Sequence, residues 1–208
     1  MSHTCGIREA RKRKSRRALL DAALGLLEDQ SLSSLGLREL TRVVGMAPAA
    51  FYRHFRDMAD LGVALVEESL GSLQGMIRAI LAERDGDEER IDAVMEAVAE
   101  HVRRHPTHIR FIARERHGGV RPVREAIGAE LGLLVDEVAA AFAPRLTPAG
   151  WPPEDVRMLA ELYVDRMVTT ATAFMEAQED ERERERIADT ARKQLLLISL
   201  GRRHWRDA

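Results

Sequence analysis

Between residues 37 and 55 the chain sets two short apolar-patterned runs on either side of a glycine, and that arrangement limits what the whole can fold into. Leu37, Leu40, Val43 and Val44 recur at helical spacing. Gly45 follows at once. Lacking a Cβ, it enters positive φ without steric cost, which lets one helix end and another begin at a steep angle within about three or four residues. Pro48 stands where the first position of the next helix belongs, because that position needs no backbone donor. Ser34 is placed to cap the earlier helix. In the later one, Phe51 and Phe55 lie four apart and form an inward face, which leaves Tyr52, Arg53 and His54 outside.

The remainder repeats the helical pattern at greater length. Residues 14–29 form an amphipathic helix, with Leu19, Leu20, Ala23, Leu24 and Leu27 on one face. After the glycine-jointed pair, which extends to about Phe55, Asp60 is placed to cap a helix reaching residue 83. Further helices are predicted over 91–104, 107–115, 123–142, 154–177 and 182–205. The charged stretch 84–90, His105-Pro106, the loop 118–122 and the proline-containing segment 144–153 separate them. Gly71 and Gly75 lie inside a helix, at about 1 kcal/mol each relative to alanine, and predict close packing there. Aromatic residues make up 4% of the chain, too few for a strand-rich core. The predicted fold is all-α with about nine helices: an N-terminal three-helix unit over 1–57 and a larger helical domain over 58–208.

No window approaches eighteen uninterrupted apolar residues, so no spanning helix and no membrane partner are expected. The basic run 11–17 followed by apolar 18–27 imitates a secretory leader, but Asp21 interrupts it and Glu28 and Asp29 end it. The lone Cys5 can form no internal disulfide, in agreement with a reducing cytoplasm.

Charge is divided unevenly. Residues 1–60 carry 11 Lys and Arg against 7 Asp and Glu, while the rest carries 21 against 27. A basic head on an acidic body suits an N-terminal part that meets a polyanion, although a solvated charge run gives the same tally. Tyr52, Arg53 and His54 can each donate to phosphates or base edges. Arg13 and Lys14 lie in a basic stretch, residues 8–17, that reaches along a duplex backbone or into a minor groove, or merely flanks it.

Leu37-Arg38-Glu39-Leu40, Val44-Gly45-Met46-Ala47 and Phe51-Tyr52-Arg53-His54-Phe55, in that order, resemble the signature of TetR-family repressors. The resemblance implies that Arg38 touches a phosphate or base and that Tyr52 and His54 lie on the DNA backbone. Ala49 and Ala50 stand where such repressors often carry Ser or Thr, so methyl contact with thymine is the expected readout there. It also implies a homodimer on a palindromic double-stranded operator, with half-sites about 34–36 Å apart or wider. Leu159, Leu162, Tyr163, Leu195 and Ile198 are the interface candidates, on two helices whose apolar stripes suit a four-helix bundle made by two subunits, with core packing within one subunit as the alternative.

Phe111 through Gly118, the Phe55-Arg56-Asp57 exit and the ending Ile198 to Trp205 are similar to the FabR and DesT group of fatty-acid repressors. That implies a cytoplasmic repressor of fatty acid desaturation or unsaturated fatty acid synthesis genes, answering to a long-chain acyl-CoA or acyl-carrier-protein thioester. His117 departs from the Ser common there. Met76, Met95, Phe111, Leu134, Phe142, Met167 and Phe174 are candidates to line an apolar tunnel, or are ordinary core. Arg103, Arg104, Arg110 and Arg114 are candidates for coenzyme A phosphates, or pair with neighbouring carboxylates. A regulator sensing a drug or another metabolite and controlling efflux or catabolism is the competing reading.

An enzyme finds little support. No histidine has Glu three positions before it, as di-iron bundles require. No Gly-rich phosphate loop or GxSxG elbow occurs, and the helix-sharing pair His101 and His105 lacks evident further ligands. No catalytic residue, metal or cofactor is expected.

Overall fold

The computed structural model describes residues 3–83 and 86–205; the thiol of Cys5 and residues Arg84 and Asp85 lie outside what it describes. Among the described residues there are nine helices and no strand, as the all-α reading expects. In chain order they are α1 (His3–Leu26), α2 (Leu37–Val44), α3 (Pro48–Phe51), α4 (Met58–Glu83), α5 (Asp87–Arg104), α6 (Pro106–Glu115), α7 (Arg121–Leu146), α8 (Pro153–Ala177) and α9 (Glu181–His204).

Several ends differ from expectation, most of them for a local reason. The basic stretch 8–17 is helical and continues α1 toward the N-terminus, ahead of the start expected at residue 14; its Arg, Lys, Glu and Ala residues are strong helix formers. Gly36, not Ser34, is the N-cap of α2, and the Ser34 hydroxyl donates to the Ser31 carbonyl at 2.9 Å. Asp60 does not cap α4. Asp57 does, its Oδ1 accepting from the Asp60 N–H at 2.7 Å, while the Asp60 carboxylate accepts from the Arg56 backbone and guanidinium. Helix α3 closes at Phe51, and the next residues continue as turns with Phe55 N–H donating to Phe51 C=O at 3.1 Å. Helix α7 runs through Pro144 to Leu146, because Leu146 is itself a buried residue of the core.

The chain divides into two compact units. The first comprises residues 1–69 and 110–128, and the second residues 70–109 and 129–208. Residues 1–57 fall in the first unit, which also takes the start of α4, the end of α6 and the start of α7. Its interior holds Leu19, Leu20, Leu40, Phe51, Leu61, Leu65, Phe111 and Ile127. Gly62 marks the closest approach there. A Cβ at that position would collide with the Leu32 side chain and lie 2.7 Å from Val123 Cγ2. Gly71 and Gly75, where tight packing is expected from sequence, have nothing within 4 Å of such a Cβ; the close contact lies elsewhere.

In the second unit α8 packs on α9, and α5 packs on both. Ile77, Val98, Val138, Phe142, Val156, Met167, Phe174 and Leu195 belong to one continuous buried cluster. No described helix is long and apolar enough to cross a membrane.

Candidate nucleic-acid interface and effector cavity

The turn between α2 and α3 is built from the residues that sequence singles out. Gly45 takes φ 71° and ψ 32°, the left-handed conformation, so its own N–H reaches the Arg42 carbonyl and the Met46 N–H reaches the Thr41 carbonyl at 2.8 Å. These bonds satisfy carbonyls that the last turn of α2 would otherwise leave open. Thr41 turns its hydroxyl back onto the Leu37 carbonyl at 2.9 Å and is buried. Pro48 follows at the first turn of α3.

Phe51 and Phe55 are both buried, with ring centroids 5.6 Å apart. They anchor the segment. Tyr52 is 60% exposed although its ring sits edge-on to Phe51 at 5.6 Å, so its hydroxyl end faces outward from a fixed base. Arg38, Ala49 and Arg53 are exposed, Ala50 and His54 half-buried, and Arg13 and Lys14 exposed along α1.

Two cations of the basic stretch 8–17 other than Arg13 and Lys14 complete this surface. Arg16 lies over the Phe55 ring, its Cζ 4.9 Å from the centroid. The His54 imidazole is held below its ordinary 6.5, first by burial and then by the positive charges of Lys12, Arg16 and Arg53. Its Nδ1 is buried with no hydrogen-bond partner. Lys12 and Arg16 are four apart on one helical face, a spacing visible in the sequence. What sequence withholds is that this face reaches the α3 segment. Arg17 is differently engaged, in ion pairs with Asp21 at 2.9 Å and Glu68 at 2.6 Å. Val43, 57% exposed on α2, adds an apolar spot that periodicity assigns to the core.

The second unit contains a cavity of about 40 Å³, walled by Ile77, Leu81, Ile91, Val94, Val138, Phe142, Tyr163, Met167 and Leu195, with Arg90 the one charged residue. Phe142 and Met167 among the tunnel candidates line it. Met95, Leu134 and Phe174 are buried in the same core without reaching the cavity wall; Met76 is 37% exposed, and Phe111 is buried in the first unit. The space admits a small group, not a long acyl chain, so such a ligand requires the walls to part.

The four arginines considered for phosphates do not form a free cluster. Arg103 and Arg104 both pair with Glu100, whose carboxyl is held below its ordinary range chiefly by the hydrogen bond from Arg103. Arg110 faces Glu28 at 3.9 Å. The Arg114 guanidinium is spent on main chain, donating to the carbonyls of Leu27, Glu28 and Gln30 at 2.9, 3.1 and 2.6 Å. His101 is buried, with its ring 5.0 Å from that of His105, and no group of three metal-type ligands occurs among the described residues.

Of the interface candidates, Leu159 and Leu195 are buried within the protomer, and Tyr163 and Ile198 are partly buried. Leu162 is 48% exposed. Beside it α8 and α9 present Met158, Leu197 and Leu200 to solvent, and a groove of about 440 Å³ runs between Leu162, Arg166, Gln194 and Leu197.

Comparison with known proteins agrees with the head. Residues 19–65 match the profile of the family described as bacterial regulatory proteins, tetR family. Over 135 residues the chain is 36% identical to an HTH-type transcriptional regulator of Haemophilus influenzae; the alignment takes in 64% of this chain and 66% of that relative's length. In fold it is similar to the regulator FadR of Bacillus subtilis, solved with stearoyl-CoA, with TM-score 0.70 and 13% identity over 88% of this chain and 96% of that one. It is also similar to AibR, solved with isovaleryl coenzyme A and operator DNA, with TM-score 0.65 and 21% identity over 86% and 96%. Residues 19–65, which carry the helix-turn-helix just described, are thus the part of the chain that is similar to the tetR family of bacterial regulatory proteins.

Proposed function

We propose that the chain is a homodimeric, cytoplasmic repressor that binds a palindromic operator through the α2–α3 head and releases or grips it according to a long-chain acyl-CoA, controlling fatty acid desaturation or unsaturated fatty acid synthesis genes. The observation that carries the DNA-binding part is the placement of Tyr52 and Arg53 on the outside of a segment pinned by Phe51 and Phe55, beside Lys12 and Arg16. Two buried rings fix the backbone, while phenol, guanidinium and ammonium groups meet phosphates. Ala49 and Val43 offer methyl groups to thymine.

The exposed apolar groups of α8 and α9 support pairing of two copies. Leu162, Leu197 and Leu200 together form a face that burial against a second copy removes from water. Fatty-acid sensing is supported by the apolar cavity and by likeness in fold to regulators solved with CoA thioesters. Each buried methylene contributes about 0.8 kcal/mol, yet a ligand shifts an equilibrium only through different affinities for the two states. A bent cis-unsaturated chain and a straight saturated one open the cavity differently. Helices α4 and α7 each line the cavity and contribute residues to both units, so the chain itself offers continuous routes from cavity to head.

The cavity's size favours a second reading of the effector. At about 40 Å³ it takes a small branched acyl group or other small metabolite with less rearrangement than a long chain requires. Native mass spectrometry of the purified dimer separates these, since a long-chain thioester and a small metabolite differ plainly in mass. The DNA-binding reading is tested by Tyr52→Ala and Arg38→Ala: at fixed salt each is expected to weaken duplex affinity by about tenfold or more. Unchanged affinity in both contradicts it. Operator binding that responds identically to saturating straight and bent acyl-CoAs contradicts the proposed sensing.

A further inference from the structure

We infer that Arg114 and Glu115, at the end of α6, are positioning residues for DNA binding: they lock the connector between α1 and α2 and thereby set where α1 carries its basic face. The inference rests on the reading of the head as a DNA-binding surface.

Helix α1 ends at Leu26 with no basic residue in its last turn. Its final carbonyls are met in part locally, Ala23 and Gly25 accepting from the N–H groups of Leu27 and Glu28, but the connector that follows has carbonyls of its own to satisfy. Arg114, more than eighty residues away in sequence, meets these through three donors to Leu27, Glu28 and Gln30. Next along the connector, the Leu32 N–H donates to Glu115 Oε1 at 2.8 Å. Arg110, one helical turn before Arg114, lies beside Glu28.

Glu115 is 1% exposed, and its Oε2 is buried without a hydrogen-bond partner. The carboxylate is packed against Gly118, where a side chain would strike it. Arg124 holds the Gly118 carbonyl at 2.6 Å, which fixes that wall. The far side of the connector is equally confined, with the Leu32 side chain filling the space left by Gly62. A connector held by its own sequence lets the helix before it adopt many angles. One held from a distant residue keeps its bonds only at the angle that meets the donor.

The geometry gives this lock leverage. Arg13 lies fourteen residues from Leu27, about 21 Å along the helix, so a tilt of about 10° at the connector displaces the basic end by about 4 Å. That distance exceeds a hydrogen bond. Phosphate contacts by Lys12, Arg13 and Arg16 would be lost while the α2–α3 segment stayed folded on its own phenylalanines.

The test measures affinity for a duplex that the wild-type full-length protein selects from a random-sequence pool, between about 50 and 200 mM salt, for wild type, Arg114→Met and Glu115→Gln, with thermal melting in parallel. A displaced basic face means fewer phosphates neutralised, so the plot of log affinity against log salt for Arg114→Met becomes shallower by about one to two units. Glu115→Gln keeps an acceptor for the Leu32 N–H and is expected to retain the wild-type slope. Mere loss of stability lowers affinity by the same factor at every salt and leaves the slope alone.

A wild-type slope for folded Arg114→Met overturns the inference. If that variant does not fold, Arg114→Lys, which reaches fewer carbonyls at once, is measured in its place, and an unchanged slope there is equally contrary. Failure of the wild type to select any duplex would instead remove the DNA-binding reading, and the inference with it.

Discussion

The His54 imidazole sits half-buried with Lys12, Arg16 and Arg53 around it, and both burial and those charges disfavour its protonation. The free protein therefore loses stability as pH falls below about 6.5, because the unfolded chain then binds more protons than the folded one. A phosphate beside the ring has the opposite influence. DNA binding should take up a proton, so affinity is expected to rise as pH is lowered from 7.5 toward 6. Anisotropy titrations across that range check it, with His54→Gln expected to flatten the dependence. A flat wild-type profile places no phosphate at His54. Gly62 gives a second residue-level expectation. Gly62→Ala forces its methyl into Leu32 and Val123 and should destabilise the protein by about 1–3 kcal/mol, seen as a lower melting temperature. The same change at Gly71, whose Cβ meets nothing, should be neutral or stabilising.

At the scale of elements, what the sequence makes legible depends on distance along the chain. The α2–α3 corner is legible because Gly45, Pro48, Phe51 and Phe55 act within a few residues of one another. Helix α7's length is less so, since its last turn is held by burial of Leu146 in a core assembled from remote segments. Caps divide the same way. Ser34 and Asp60 have the right chemistry and lie close to helix starts, but Gly36 and Asp57 occupy the capping positions and Asp60 turns instead to Arg56. Asp57→Ala is accordingly expected to cost α4 about 1 kcal/mol in a denaturation midpoint. Basic sequence neighbours put Arg114 among the phosphate-binding candidates; its true partners are carbonyls of the connector just beyond α1. Apolar patterning cannot distinguish a cavity wall from solid core, so it selects Phe142 and Met167 together with Met95 and Leu134, which do not line this cavity.

The whole molecule is proposed to act as a pair. Leu197 is 70% exposed and Leu200 53% on α9, beside Leu162 at 48% on α8, an exposed apolar face of the kind that marks an interface. Leu197→Arg is expected to convert a dimer into a monomer in sedimentation velocity, with helical content by circular dichroism little changed, since the side chain takes no part in the core of the single chain. Its duplex affinity should fall by about tenfold or more, because one head alone reads only a few base pairs. A monomeric wild type would remove the interface from α8 and α9. Pairing also sets the pattern expected on DNA. Hydroxyl-radical footprinting of a wild-type-selected duplex, repeated with Tyr52→Ala at the same protein and salt concentrations, examines head and pair together. Two protected patches on one face of the duplex, about 34–36 Å apart or wider and lost on substitution, are the predicted result. Protection that persists unchanged in Tyr52→Ala, or none with the wild type, would contradict the account.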